Sequence, residues 1–170
     1  MKQMNGIDVI LERTRTLASI DLDPRTALVI VYDVQIELCD ILELIADSLP
    51  ERHDRDLCAK LADILGPLIL QLHRFEEETL FPSAQIATLP AEAFSMTINR
   101  FRSEHSEDEY RLEELSDLLR ELSYEREPGN PEAAGYLLRS VFEAIRRHCD
   151  YEREYLTHLL GSDTGPGLMH

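Results

Sequence analysis

The feature that most constrains this chain is a histidine followed by a glutamate four positions later, a pattern that occurs three times. The pairs are His73 with Glu77, His105 with Glu109, and His148 with Glu152. Residues four apart lie on the same face of an α-helix, so each pair can direct an imidazole and a carboxylate at one point. A single pair would be an ordinary helix-stabilising contact. Three pairs, each on the apolar face of a separate helical segment, predict one inward-facing metal site.

Length and composition favour a single helical domain. The 170 residues are 44% hydrophobic, 29% charged and 6% aromatic, which is typical of a globular chain rather than a disordered or disulfide-rich one. The formal charge of -16 argues against nucleic acid as a partner, because phosphate backbones are bound by clusters of Lys and Arg.

The cysteines and the apolar runs bear on location. Cys39, Cys58 and Cys149 are widely spaced and form no Cys-x-x-Cys pair, so neither a disulfide framework nor a zinc ribbon is expected. No apolar run has the length of a membrane span or the form of a signal peptide. We therefore expect a reducing, cytoplasmic location and no membrane partner.

Hydrophobic periodicity predicts one short helix, between Gly6 and Ile20, and four long ones. The long helices are predicted from Asp23-Pro24 to about Leu49, from about Asp54 to Phe81 with Pro82 as the stop, from Pro90 to about Leu122, and from Asn130-Pro131 to Gly161. Gly66-Pro67 lies inside the second long helix and predicts a kink or a break there, because proline removes one backbone hydrogen bond.

The expected fold class is all-α, an antiparallel up-down four-helix bundle with a short extra N-terminal helix. We expect residues 1–22 to form an N-terminal extension with the short helix, residues 23–161 to form the bundle, and residues 162–170 to be a disordered tail. When the first and third long helices are aligned, Gln35 falls opposite His105. It occupies the position where a fourth inward histidine would complete the internal symmetry.

At this point the chain resembles the hemerythrin-like family, the HHE cation-binding domain, over roughly Asp23 to Leu160. The most specific part of the resemblance is the segment that contains His73, Glu77, Glu78, Leu80, Phe81 and Pro82. The resemblance implies a non-haem di-iron centre. In it, His73, His105 and His148 would be terminal ligands, and Glu77 and Glu152 would bridge two irons.

The chain departs from the family pattern at Gln35, where the family has histidine. An amide oxygen is a weaker donor than imidazole, so Gln35 would leave one metal position short of a ligand. Glu109 is a candidate for an additional carboxylate ligand, and Glu37 is a further substitute. The mixed nitrogen and oxygen donors suit iron or manganese better than calcium. A di-iron centre is therefore expected, with mononuclear iron, manganese or zinc as alternatives.

These residues lead to two principal functional hypotheses. In the first, the protein is a non-haem iron protein that binds or senses O2, NO or iron itself, and is a metal-binding or sensor protein rather than an enzyme. In the second, the bundle has lost tight metal binding and acts as a scaffold or regulatory interaction module. A ferritin-like oxidase is disfavoured, because no histidine follows a glutamate by three residues. A homodimer is left open.

Overall fold

The computed structural model describes residues 6–18, 22–85, 91–124 and 129–161, and these ranges are all-helical without strands. The elements are α1 (Gly6–Arg15), a 3-10 turn (Thr16–Ala18), α2 (Pro24–Ser48), α3 (Arg55–Phe75), a π turn (Glu76–Leu80), α4 (Phe81–Gln85), α5 (Ala91–Ser123) and α6 (Pro131–Gly161). The all-α prediction is therefore confirmed. The predicted start at Pro90 and the tail from Ser162 to His170 lie outside the described residues.

Side-chain caps begin three of the long helices. The Asp23 carboxylate accepts a hydrogen bond from the Thr26 amide at 3.1 Å, and Pro24 opens α2, where no intrahelical N–H is needed. In the same way, Asp54 caps α3 through Leu57 N at 3.0 Å. Asn130 caps α6 through the amide of Ala133, also at 3.0 Å. The three helix starts predicted from the sequence therefore agree with the observed starts of α2, α3 and α6.

Two prolines were expected to interrupt the second long helix. At Pro67 the break is absent: α3 continues through this residue, whose ring is exposed while Leu65, Leu68 and Ile69 beside it are buried in the core. The prediction that Pro82 ends the helix is wrong. The π turn leads directly into α4, in which Pro82 is the second residue, and a proline is tolerated in the first turn of a helix.

Contacts between α2 and α6 run in opposite sequence order along the two helices. Ion pairs join Arg153 with Asp33 at 3.4 Å, Arg146 with Asp40 at 2.5 Å, and Arg139 with Asp47 at 2.8 Å. Exposed pairs of this kind each contribute no more than about 1 kcal/mol to stability. They are useful here because they show how the two helices are aligned. The two helices are therefore antiparallel.

The helices α3 and α5 pack in the same antiparallel way. Near one end, Nε2 of His53 lies 3.0 Å from the carbonyl oxygen of Leu122, and Asp63 pairs with Arg120 further along. Near the other end, His105 contacts Glu77. None of the helices in the described ranges has the length and apolar character needed to cross a membrane.

Candidate metal centre

Three histidines converge in the interior, one each from α3, α5 and α6. His73 and His105 are 1% exposed and His148 is 4% exposed. The rings of His73 and His105 stack with centroids 3.9 Å apart, and the His148 ring lies 5.3 Å from that of His105. Ligand nitrogens of all three lie within 4.8 Å of one another, which is close enough to share a cation.

Two buried carboxylates lie against these imidazoles. Glu76, the first residue of the π turn, and Glu152 of α6 are both 0% exposed. Nε2 of His105 lies 3.0 Å from Oε2 of Glu76 and 3.5 Å from Oε2 of Glu152. The same Glu152 oxygen lies 3.3 Å from Nε2 of His148. The carboxylates and imidazoles therefore form one cluster of ligand atoms.

The outer nitrogen of each histidine contacts a carboxylate at hydrogen-bond distance. Nδ1 of His73 lies 3.1 Å from Glu109, Nδ1 of His105 lies 2.8 Å from Glu77, and Nδ1 of His148 lies 2.7 Å from Asp108. A carboxylate only accepts hydrogen bonds when ionised, so each Nδ1 carries the proton and donates it. In a neutral imidazole this arrangement leaves the lone pair on Nε2 directed into the cluster, as in metal-bound histidines.

With the three histidines neutral, the inner atoms of the cluster lack hydrogen-bond partners. These atoms are Nε2 of His73, His105 and His148, Oε2 of Glu76, and both carboxylate oxygens of Glu152. Several are close to one another, but lone pairs that face lone pairs do not satisfy each other. Buried polar atoms are normally paired, and leaving one unpaired costs about 1–3 kcal/mol. A cation would satisfy all of them, so the donor set fits a metal ion.

The pKa values in the cluster also indicate that its surroundings favour a positive charge. Burial disfavours the charged form of His105, but hydrogen bonds and charge interactions with Glu152 and Glu76 outweigh it and raise the pKa to about 11. His148 is likewise desolvated, yet Asp108 and Glu152 raise its pKa to about 9. Burial and the two neighbouring histidines lower the pKa of His73. Without a metal, protons on His105 and His148 therefore balance the carboxylates.

The metal-free protein is expected to lose stability as pH rises from 6.5 to about 9. A pKa raised from 6.5 to about 9 means that the folded state holds the His148 proton more tightly than the unfolded chain. This stabilisation is complete below 6.5 and disappears as pH rises through about 9, a change on the order of 3 kcal/mol. His105 acts with the same sign. Urea unfolding of chelator-treated protein across this range measures the slope, and stability that increased with pH would contradict the assignment.

The helix α2 contacts the cluster through hydrogen-bonding groups. The Gln35 side chain is fully buried, and its Nε2 donates to Oε1 of Glu76 at 2.7 Å. Its Oε1 accepts from the Cys149 thiol at 3.3 Å. Gln35 therefore holds the Glu76 carboxylate in place. The Tyr32 hydroxyl of the same helix is also buried without a hydrogen-bond partner, and burial together with Glu152 and Glu76 raises its pKa well above the usual value.

Aromatic side chains enclose the cluster, and one cavity reaches it from outside. The Phe81 ring stacks at 6.0 Å on that of His105, and Phe101 packs on both Phe81 and Tyr155. A cavity of about 310 Å³ lies between α5 and α6, with Asp108 and His148 among its lining residues. The aromatic rings limit the access of water to the cluster, and a small molecule could approach on the His148 side.

Most of the residues selected from the sequence lie in or beside the cluster, but only some of them are positioned as candidate ligands. His73, His105, His148 and Glu152 lie at the centre. Glu77 and Glu109, at 32% and 37% side-chain exposure, lie behind the histidines at Nδ1, and Gln35 reaches the centre only through Glu76. Glu37 is distant from the cluster and pairs with Arg13.

Sequence reasoning missed Glu76 and Asp108. Glu76 follows His73 by three residues, a spacing that shares a helix face as well as four does. Asp108 continues the buried stripe Phe101, His105, Leu112, Leu115 and Leu119, so its burial was readable from spacing.

The fold and this cluster define a class, an all-helical protein with a buried histidine and carboxylate set that could hold a metal cation. The sequence model of the family described as hemerythrin HHE cation binding domain matches residues 33–160, well over half of the chain. The protein belongs to this family, as its resemblance indicated. Searches of curated proteins and of solved structures gave no significant match.

Proposed function

We propose that the protein is a non-haem iron protein that binds or senses a small diatomic molecule, O2 or NO, at the buried cluster. The observation that carries this proposal is the set of unpartnered ligand atoms, which form two close groups that share His105. Imidazole nitrogen and carboxylate oxygen together suit iron or manganese. Iron bound there would supply a redox-active centre with affinity for diatomic ligands.

The protein's own residues would prepare this centre. The Nδ1 contacts with Glu109, Glu77 and Asp108 fix the orientation of the imidazoles and make their Nε2 atoms better donors. The carboxylates of Glu76 and Glu152 neutralise the cation in a buried place where an unpaired charge would be costly. Phe81 and Phe101 exclude water. The three free cysteines agree with a reducing, cytoplasmic location, where iron would remain ferrous.

The proposal includes an up-down bundle in which α2, α3 with its continuation, α5 and α6 are the four long members. The antiparallel contacts of α2 with α6 and of α3 with α5 support this topology. In such bundles, side chains from facing helices build the metal sites in the core.

Iron loading followed by exposure to nitric oxide tests the proposed function. Protein purified without chelator is titrated anaerobically with iron(II), desalted and analysed for metal, and then visible absorption is followed as NO is added. We expect bound iron and a new visible band. A His105→Gln variant is the control, because His105 belongs to both groups of candidate ligands. A wild-type chain that retains no iron after reconstitution would instead favour the scaffold hypothesis, which the glutamine at position 35 motivates.

A further inference from the structure

We infer that the cluster holds a single cation, to which Glu76 contributes one carboxylate oxygen because Gln35 occupies the other. This inference rests on the proposed metal binding and deepens it. It also departs from the di-iron centre that the family resemblance implied, in which carboxylates bridge two ions.

Distances between the donor atoms are those of neighbours around one ion. Ligand atoms about 2.1 Å from a shared metal are about 3.0 Å apart when they subtend a right angle, and about 3.4 Å apart in a tetrahedron. Nε2 of His105 lies 3.0 Å from Glu76 and 3.5 Å from Glu152, and Nε2 of His148 lies 3.3 Å from Glu152. The ligand atoms form two groups, each within 4.8 Å, one of His73, His105 and His148 and the other of Glu76, His105 and Glu152. The groups share His105, so a single cation bound to His105 can take ligands from both.

The hydrogen bond from Gln35 disfavours a bridge between two ions through the two oxygens of Glu76, because it takes up one lone pair of Oε1. Nε2 of Gln35 donates to Oε1 of Glu76 at 2.7 Å, whereas Oε2 has no hydrogen-bond partner. A cation beside Oε1 would face the positive end of this N–H bond and be repelled by it. Oε2, which has both lone pairs free and is directed at His105, is therefore the favoured oxygen for a metal ion.

The orientation of the Gln35 amide is itself held from both sides. Its carbonyl oxygen accepts a hydrogen bond from the Cys149 thiol at 3.3 Å, and its nitrogen faces the Glu76 carboxylate. Turning the amide over would place its oxygen against a carboxylate oxygen and its N–H against a thiol, and both hydrogen bonds would be lost. The glutamine oxygen is thus kept away from the cluster, so Gln35 is a positioning residue and supplies no ligand atom.

The α2 side of the cluster consequently lacks the donors that a second cation would need. All five candidate ligands come from α3, the π turn, α5 and α6. Among the described residues of α2, only Gln35 and Tyr32 have polar side-chain atoms buried next to the two carboxylates. A single neutral phenol beside an N–H donor is too weak a donor set for a second ion, so the arrangement is complete with one.

Metal stoichiometry and electron paramagnetic resonance test this inference. The wild-type chain is saturated anaerobically with iron(II), or in parallel with manganese(II), and desalted, and its metal content per chain is measured. We expect one ion per chain with either metal, and for manganese the spectrum of an isolated ion. Two ions per chain with a spin-coupled spectrum would overturn the inference while leaving metal binding intact. A chain without metal would instead refute the proposed function, and this inference with it.

A Gln35→His variant tests whether Gln35 limits the number of metal ions that the cluster binds. The imidazole adds a donor on the α2 side, and removal of the amide frees Oε1 of Glu76, so we expect the metal content to double. Gln71→His is the matched control, because the same change at an exposed position of α3 should leave the content at one. If Gln35→His also remained at one, Gln35 would not be the limiting residue, and the role assigned to its amide would be refuted.

Discussion

Replacing Glu76 with glutamine is expected to abolish tight metal binding, whereas Glu77→Gln should lower the affinity only about ten- to a hundredfold. Glu76 is fully buried and directs an unpartnered oxygen at the cluster, so its loss removes a negative ligand. Glu77 contacts the outer nitrogen of His105 and only orients it. Changes to residues that orient a ligand typically cost this intermediate amount, so the direct ligand should cost more than about a hundredfold.

Competition with a coloured chelator measures both affinities against wild type. Glu76→Gln should leave the metal-free fold nearly unchanged, because the amide has nearly the same shape as the carboxylate and its oxygen can still accept the hydrogen bond from Gln35. The two substitutions make the same chemical change at adjacent positions, so each controls for the other. Tight binding in Glu76→Gln together with its loss in Glu77→Gln would show that Glu77 is the ligand, as the four-residue spacing suggested.

The difference between these two glutamates explains why the sequence alone could not choose between them. On the N-terminal side, the buried residues Ile69, Leu72, His73 and Glu76 follow helical spacing. On the C-terminal side, the buried residues Leu80, Phe81 and Ala84 do so too, and extending their pattern backward reaches Glu77. The two patterns are offset by one residue, or about 100° of helix rotation. The π turn absorbs that extra residue, and so both sets face the core.

Other parts of the fold were readable because local chemistry determines them. Asp23-Pro24 and Asn130-Pro131 begin α2 and α6 through side-chain caps that depend on only a few neighbouring residues. The positions of His105 and His148 on apolar stripes likewise predicted their burial.

The role of Gln35 shows the same division between local and distant information. Its place on a buried stripe indicated that it faces the site, and it does lie against the cluster. Whether its oxygen or its nitrogen points inward depends on Glu76 and Cys149, which are 41 and 114 residues away in sequence. No spacing rule encodes this orientation, and yet it determines whether Gln35 is a ligand or a positioning residue.

Removal of the bound cation from the wild-type protein is expected to lower the Tm by about 5–11 °C. A ligand present at a hundred times its Kd stabilises the folded state by about 2.7 kcal/mol, and for a chain of this size each kcal/mol shifts Tm by about 2–4 °C. The physical cause is that the cation binds buried atoms of His73, His105, His148, Glu76 and Glu152, which protons on His105 and His148 satisfy only in part when it is absent. Thermal unfolding with added iron(II), and again after chelation, measures the difference.

The His105→Gln variant separates specific stabilisation at the cluster from general effects of metal on the protein. His105 lies in both groups of candidate ligands, so this variant should have the same Tm with and without iron. His158→Gln is the comparison, because His158 is exposed on α6, away from the cluster, and this variant should keep the full wild-type shift. An equal shift in both variants would mean that iron stabilises the protein elsewhere, for example at its acidic surface. In that case the buried donors would not be the metal centre.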